Sequence, residues 1–198
     1  AGSSDYDLQI LELVRQGKDA AEIYEALAIT DIQQAADLLR PVYESTAGAD
    51  GYVSLEVSPN LAQDSLGTFE EAQRLWNAVN RPNLMIKIPA TQAGLPAITQ
   101  AIAVGINVNV TLIFALDRYQ AVMEAFLQGL EQRLAAGHRL DGVASVASFF
   151  VSRVDSKVDR RLEAIIRSEE AHAAQAAALL GKAANANAKL AYQLFREV

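Results

Sequence analysis

From Gly51 onward the chain alternates a short apolar run with a longer amphipathic stretch four times in succession, and this period limits the fold more than any other feature. Strand patterns cover residues 52–58, 84–90, 106–114 and 142–150. Helical patterns follow within residues 61–80, 95–104, 117–136 and 154–168, the first with Thr68-x-x-Glu71 as an expected capping box. Strand–helix units of this length imply parallel strands joined by right-handed crossovers. Two architectures satisfy that: an open doubly wound sheet, or a (β/α)8 barrel. No Gly-x-Gly-x-x-Gly or P-loop follows any strand, which weakens the nucleotide-binding option.

Ahead of this region, residues 5–16 read as a helix stopped by Gly17, and residues 20–27 continue helically. Thr30-Asp31-Ile32-Gln33 reads as a capping box opening a further helix to Arg40, just before Pro41. After residue 168 the chain is alanine-rich helix, with breaks expected near Gly181 and Asn185-Ala186-Asn187. The expected organisation is one domain over 1–198: N-terminal helices to residue 50, four βα units over 51–168, and C-terminal helix over 169–198.

With 198 residues, 51% of them hydrophobic, the chain suffices for one ordinary core. A formal charge of -7 with no Lys/Arg cluster argues against a nucleic-acid groove. The absence of cysteine excludes disulfides, thiol catalysis and Cys-ligated zinc, and suits a reducing cytoplasm. No apolar run approaches the roughly 18 residues a bilayer requires. Ala1-Gly2-Ser3-Ser4 lacks the basic and apolar regions of a signal peptide and reads as either an expression remnant or a cut end. A cytoplasmic protein with no membrane or nucleic-acid partner is expected.

Strands covered on both faces should be almost continuously apolar. These are not. Side chains alternate along a strand, so Ser54, Glu56 and Ser58 share one face, and so do Met85, Lys87 and Pro89. Asn107, Asn109 and Thr111 share a face opposite Ile106, Val108, Val110 and Leu112, while Ala144, Val146 and Ser148 form the weakest of the four splits. In a barrel this polar face points inward, and its C-terminal mouth is where the fold carries chemistry. Glu56, Lys87, Asn109, Thr111 and Ser148 would converge there, with Arg153 following near a helix start where it could hold a phosphate.

A lysine in an apolar strand must be paired, deprotonated or both. As a neutral amine Lys87 would attack a ketone to give an imine, whose electron-sink character lets an adjacent C–C bond break. Glu56, with Thr111 and a water, could serve the proton transfers; Asn109 and Ser148 could bond substrate hydroxyls. The structural alternatives are a buried Lys87–Glu56 pair, interior hydrogen-bonding roles for Asn109 and Thr111, and an Arg153 salt bridge to Asp155 or Asp159. Asn109-Val110-Thr111 also matches a glycosylation sequon, but inside an expected strand. His138 and His172 read as surface residues too far apart in sequence for a metal cluster. Leu8/Leu11 and Leu190/Leu194 read as core stripes, Trp76 as helix–barrel packing, and residues 155–167 with Glu169-Glu170 as an exposed charged face.

Four segments carry a family resemblance. They are residues 51–59 (Gly51 to Pro59, including Ser54-Leu55-Glu56), Met85-Ile86-Lys87-Ile88-Pro89-Ala90-Thr91, residues 105–114 (including Asn107-Val108-Asn109-Val110-Thr111), and residues 146–155 (including Ser148-Phe149-Phe150-Val151-Ser152-Arg153). In order and spacing they resemble transaldolase, over essentially the whole chain, and most of all the long bacterial subfamily that also occurs fused to phosphoglucose isomerase. The resemblance implies an α/β fold, a (β/α)8 TIM barrel, that moves a dihydroxyacetone unit from a ketose phosphate to an aldose phosphate in the pentose phosphate pathway. The donors would be sedoheptulose 7-phosphate or fructose 6-phosphate. It implies Lys87 as the Schiff-base lysine, Glu56 as the catalytic glutamate and Thr111 as the residue positioning the catalytic water. Asn109, Ser148 and Arg153 would contact substrate, the arginine on the phosphate side. No metal and no organic cofactor is implied.

The resemblance also implies two strands before residue 1 and two after Val198, the first bearing a catalytic aspartate and the last ones further phosphate ligands. The four strands here would be strands three to six, so the chain alone is expected to be weakly active or inactive. Its unpaired strand edges are expected to pair into a homodimer or to be covered in some other way. The competing functions are a lysine aldolase like the small fructose-6-phosphate aldolases, which cleave without transferring, and a non-catalytic fragment or scaffold.

Overall fold

A computed structural model describes residues 4–168 and 170–198. The expectations for Ala1, Gly2, Ser3 and Glu169, and for the side chain of Glu170, lie outside the described residues. The elements in chain order are α1 (Asp7–Arg15), α2 (Ala20–Ser45), β1 (Val53–Glu56), a 3-10 turn (Pro59–Leu61), α3 (Ser65–Val79) and β2 (Leu84–Pro89). They continue with α4 (Gly94–Val104), β3 (Val108–Ile113), α5 (Leu116–Ala135), β4 (Ser145–Phe149), α6 (Ser152–Ser168), α7 (Glu170–Leu179) and α8 (Ala183–Glu197).

All strand pairings are parallel and the spatial order is β1-β2-β3-β4, identical to the chain order. A doubly wound sheet reverses its strand order at a switch point, whereas a barrel adds each strand beside the last. The sheet is therefore an arc of a (β/α)8 barrel. Leu84, Ile86, Ile88, Val108, Val110 and Ile113, all fully buried, form one core with Ala72, Leu75 and Val79 of α3 and Ile98, Ala101 and Ile102 of α4. The partly buried Trp76 packs against this core, as expected for helix–barrel packing.

Where the helices begin differs from the sequence expectation, for a common reason. α2 is capped by Asp19, whose carboxylate accepts from Ala21 and Glu22 N–H while Glu22 returns a bond to the Asp19 N–H. It then runs unbroken through Thr30 and Pro41. Thr30 is not a cap; its hydroxyl donates to the Ala26 carbonyl one turn back, and Gln33 donates to the Ala78 and Val79 carbonyls at the end of α3. α3 is capped by Asp64, four residues ahead of the expected Thr68. Thr68 donates to the Leu61 carbonyl, and Glu71 accepts from Ser58 N–H. Both apparent capping boxes thus supply long-range bonds. A capping pattern is short enough that tertiary partners can claim it.

Other expectations hold. Past α1, Gly17 sits at φ 80° with Lys18 N–H bonded to the Leu13 carbonyl, the six-to-one bond of a Schellman stop. The C-terminal helix breaks at Gly181, also at positive φ, between α7 and α8; Asn185 to Asn187 lie inside α8. The reading of Leu8 and Leu11 as a core stripe does not survive. Leu8 is 84% exposed and α1 buries none of its residues. Leu190 is likewise exposed, while Leu194 packs on the core.

Candidate active site

β2 is buried along its whole length except at Lys87. Leu84, Ile86 and Ile88 belong to the hydrophobic core, and on the opposite face Met85 and Pro89 are buried while Lys87 between them is not. In the strand register Lys87 stands opposite Glu56 of β1 and Asn109 of β3. Its Nζ donates to Glu56 Oε2 at 3.1 Å. The lysine side chain is 30% exposed and the glutamate 45%, so this is an ion pair at an open rim rather than the buried pair weighed as an alternative. A carbonyl compound arriving from solvent can reach the nitrogen.

Beside it runs a second hydrogen-bonded row across three strands. Ser148 Oγ of β4 donates to Asn109 Oδ1 at 2.7 Å, and Asn109 Nδ2 donates to Ser54 Oγ of β1 at 3.1 Å. Asn109 therefore presents a fixed amide orientation next to the lysine. Ser54 was visible on the polar face of β1, but nothing in the sequence signalled that it orients Asn109. Thr111 lies one pleat beyond Asn109, is fully buried, and its hydroxyl has no hydrogen-bond partner. A buried hydroxyl without a partner is uncommon and calls for a water or ligand.

Asn107 departs from the alternation reading. It shares the face of Asn109 but lies at the sheet floor, 1% exposed. Its amide donates to the Pro82 and Leu84 carbonyls, and its Oδ1 accepts from Ala144 N–H. It braces three chain segments and is not open to substrate. Leu112 also departs from the covered face assigned to it. It adopts φ 60° within a register shift between Val110 and Ile113, is 38% exposed, and Ile113 takes the buried position instead.

Arg153 is the second residue of α6, four residues past the C-terminal end of β4. Its guanidinium lies 4.9 Å from the Phe150 ring centroid. The alternative partners are engaged elsewhere: Asp155 accepts from Ala184 N–H, and Asp159 from Gly181 N–H. Among the described residues Arg153 forms no ion pair, and no group of three or more His, Cys, Asp or Glu side chains is placed to hold a metal. His138 is exposed. No helix among the described residues is long and apolar enough to cross a membrane.

The loop that follows Glu56 is anchored from behind. Glu71 Oε2 accepts from Ser58 N–H at 2.9 Å, Arg74 bonds Glu71, and the same guanidinium binds both oxygens of Glu25 at 2.6 Å. The bonds from Arg74 hold the Glu25 carboxyl below its ordinary range.

The family described as Transaldolase/Fructose-6-phosphate aldolase matches residues 1–198. A protein named transaldolase from Parafrankia sp. (strain EAN1pec) is 56% identical over 197 residues, 100% of this chain and 52% of its own length. One from Thermobifida fusca (strain YX) is 58% identical over 193 residues, covering 98% of this chain and 51% of that protein. A third, from Saccharopolyspora erythraea, is 53% identical over 198 residues. The chain thus spans about half the length of the curated relatives it matches. The match of the family model over residues 1–198, with relatives 53–58% identical along the chain, makes this chain a member of the transaldolase/fructose-6-phosphate aldolase family.

Proposed function

We propose that this chain carries the Schiff-base centre of a transaldolase, with Lys87 as the nucleophile. The observation that supports it best is that Lys87 alone interrupts the burial of β2 and meets Glu56 there at 3.1 Å. The amine of Lys87 attacks the C2 ketone of a ketose phosphate, and the carbinolamine loses water to give an imine. Once the imine is protonated, the C3–C4 bond breaks. Its electrons flow to the imine as an enamine while the C4 hydroxyl loses its proton to a base and becomes the departing aldehyde. The enamine then adds to an aldose phosphate, and water releases the product.

Glu56, with a water held against the unpartnered Thr111 hydroxyl, serves the proton transfers of imine formation. Asn109 and Ser148, oriented through Ser54, bond the sugar hydroxyls. Arg153, which forms no ion pair among the described residues, takes the phosphate at the first turn of α6 together with the helix amides. The transferred fragment is dihydroxyacetone, and the reaction belongs to sugar-phosphate interconversion in the cytoplasm. Fusion of the parent protein to a phosphoglucose isomerase would join two such sugar-phosphate steps on one chain.

The test is borohydride reduction of the chain with fructose 6-phosphate, followed by mass analysis. A sugar-derived adduct on Lys87 is expected; an adduct spread over several lysines would overturn the assignment. Glu56→Gln should slow adduct formation by about 10²-fold, the scale of a lost acid–base group, with Lys87 still the labelled residue. An unchanged rate would remove Glu56 from the proton transfers.

β1 and β4 each have one strand neighbour in the sheet. Unpaired edges of parallel strands seek partners, so these 198 residues are expected to self-associate through them. Sedimentation at micromolar concentration should show a dimer; a folded monomer would count against the edge contact.

A further inference from the structure

Beyond the ends of β1 and β2 the chain separates into two loops, one following Glu56 and the other following Pro89, two residues past Lys87. The last ladder bond between the strands is from Val57 N–H to the Lys87 carbonyl at 3.1 Å. Past that point, a single hydrogen bond joins the two loops among the described residues. Thr91 Oγ1 donates to the Ala62 carbonyl at 2.6 Å and accepts from Gly94 N–H at 2.9 Å. The direction of these bonds is unambiguous. A backbone N–H can only donate, so the one hydroxyl proton is committed to Ala62.

The turn that places Thr91 is itself tightly built. Thr91 N–H bonds the Pro89 carbonyl at 2.9 Å, and Gly94 N–H bonds the Thr91 carbonyl at 3.1 Å. A Cβ on Gly94 would collide with the Pro89 carbonyl, so the turn closes only with glycine there. On the other side, the loop after Glu56 is held to α3 by Glu71 at Ser58 and by Thr68 at Leu61. Ala62, the next residue, is held by Thr91.

We propose that Thr91 is a positioning residue for the lysine–glutamate pair. Its hydroxyl fastens the loop that follows Glu56 to the turn that follows Lys87, and so sets the approach of carboxylate to amine at the open end of the sheet. This rests on Lys87 and Glu56 acting as described above. Reacting groups displaced by about 1 Å lose on the order of 10²-fold in rate. Because the Val57–Lys87 ladder bond remains, loss of the fastening should cost less, about tenfold, the scale of one hydrogen bond.

The test compares Thr91→Val, which keeps the branched shape without the hydroxyl, with Thr91→Ser, which keeps the hydroxyl. Borohydride trapping with fructose 6-phosphate is followed against sugar concentration, and amide hydrogen exchange is measured on the same proteins. Thr91→Val should trap about tenfold more slowly at saturating sugar, with the half-saturating concentration unchanged, and Thr91→Ser should restore the rate. Exchange at Ala62, Asp64 and Gly94 should quicken in the valine variant alone. Equal trapping rates in Thr91→Val and the unmodified protein, or equal loss in both variants, would overturn the proposal. A Lys87→Ala control that traps as well as the unmodified chain overturns the lysine reading instead. The exchange rates then decide the fastening by themselves, and unchanged exchange in Thr91→Val rejects it.

Discussion

Lys87→Arg should fold as the unmodified chain does and lose all covalent capture of fructose 6-phosphate under borohydride. Arginine retains a cation that can meet Glu56, which stands 3.1 Å from the lysine nitrogen. Its guanidinium remains protonated at any accessible pH, so it cannot attack a carbonyl carbon. The variant therefore separates two roles that Lys87→Ala would merge: half of an ion pair, and a nucleophile. The pair itself is exposed enough that its loss should change stability by about 1 kcal/mol or less. Melting temperature should accordingly be nearly unchanged in the arginine variant while adduct formation falls to that of a sample without sugar. A trapped adduct in Lys87→Arg would show that some other amine carries the chemistry.

The largest stability effect is expected at Asn107. Replacement by alanine removes two donors and one acceptor from a fully enclosed position and leaves the Pro82 and Leu84 carbonyls and the Ala144 N–H without that side chain. A buried group deprived of its partner costs roughly 1–3 kcal/mol, and two of these three bonds are only part-buried, so a total loss of about 3 kcal/mol is expected. At roughly 2–4 °C per kcal/mol for a chain of this size, the melting temperature should fall by about 10 °C. Asn109→Ala, two residues further along the same strand face, should cost about 1 kcal/mol, because its row is partly open to water. Thermal unfolding of the two variants side by side checks the contrast. Equal losses would mean that the floor and the rim of the sheet are not distinct.

The βα period was legible because each unit is long enough for its hydrophobic spacing to be unambiguous, and all four strands lie within the expected ranges. The polar face was legible too, since period-two alternation survives wherever a strand stays regular. It failed at Leu112, where a local register shift moves burial to Ile113. Alternation also could not distinguish Asn107 from Asn109. The two share a face, and only depth along the barrel axis makes one a brace and the other a rim group.

The helix starts misread at Thr30 and Thr68 have a related origin. A serine- or threonine-led capping pattern records local hydrogen-bonding capacity, but Gln33 and Glu71 spend theirs on carbonyl and amide groups more than ten residues away in sequence. In the sequence Thr91 is simply the last residue of the Met85-Ile86-Lys87-Ile88-Pro89-Ala90-Thr91 segment. Its bond to Ala62 crosses between two loops, and no pattern along one strand can show that.

By itself the sequence determined the order and type of the βα units, the strand face that bears the polar groups and the presence of one lysine in an apolar run, because these follow from short-range periodicity. Only the tertiary structure decided which strands are neighbours, that Lys87 meets Glu56 at an open rim, that Asn107 is enclosed and that Thr91 joins the loops. Those outcomes depend on contacts between residues distant in the chain, where packing and not local pattern selects the partner.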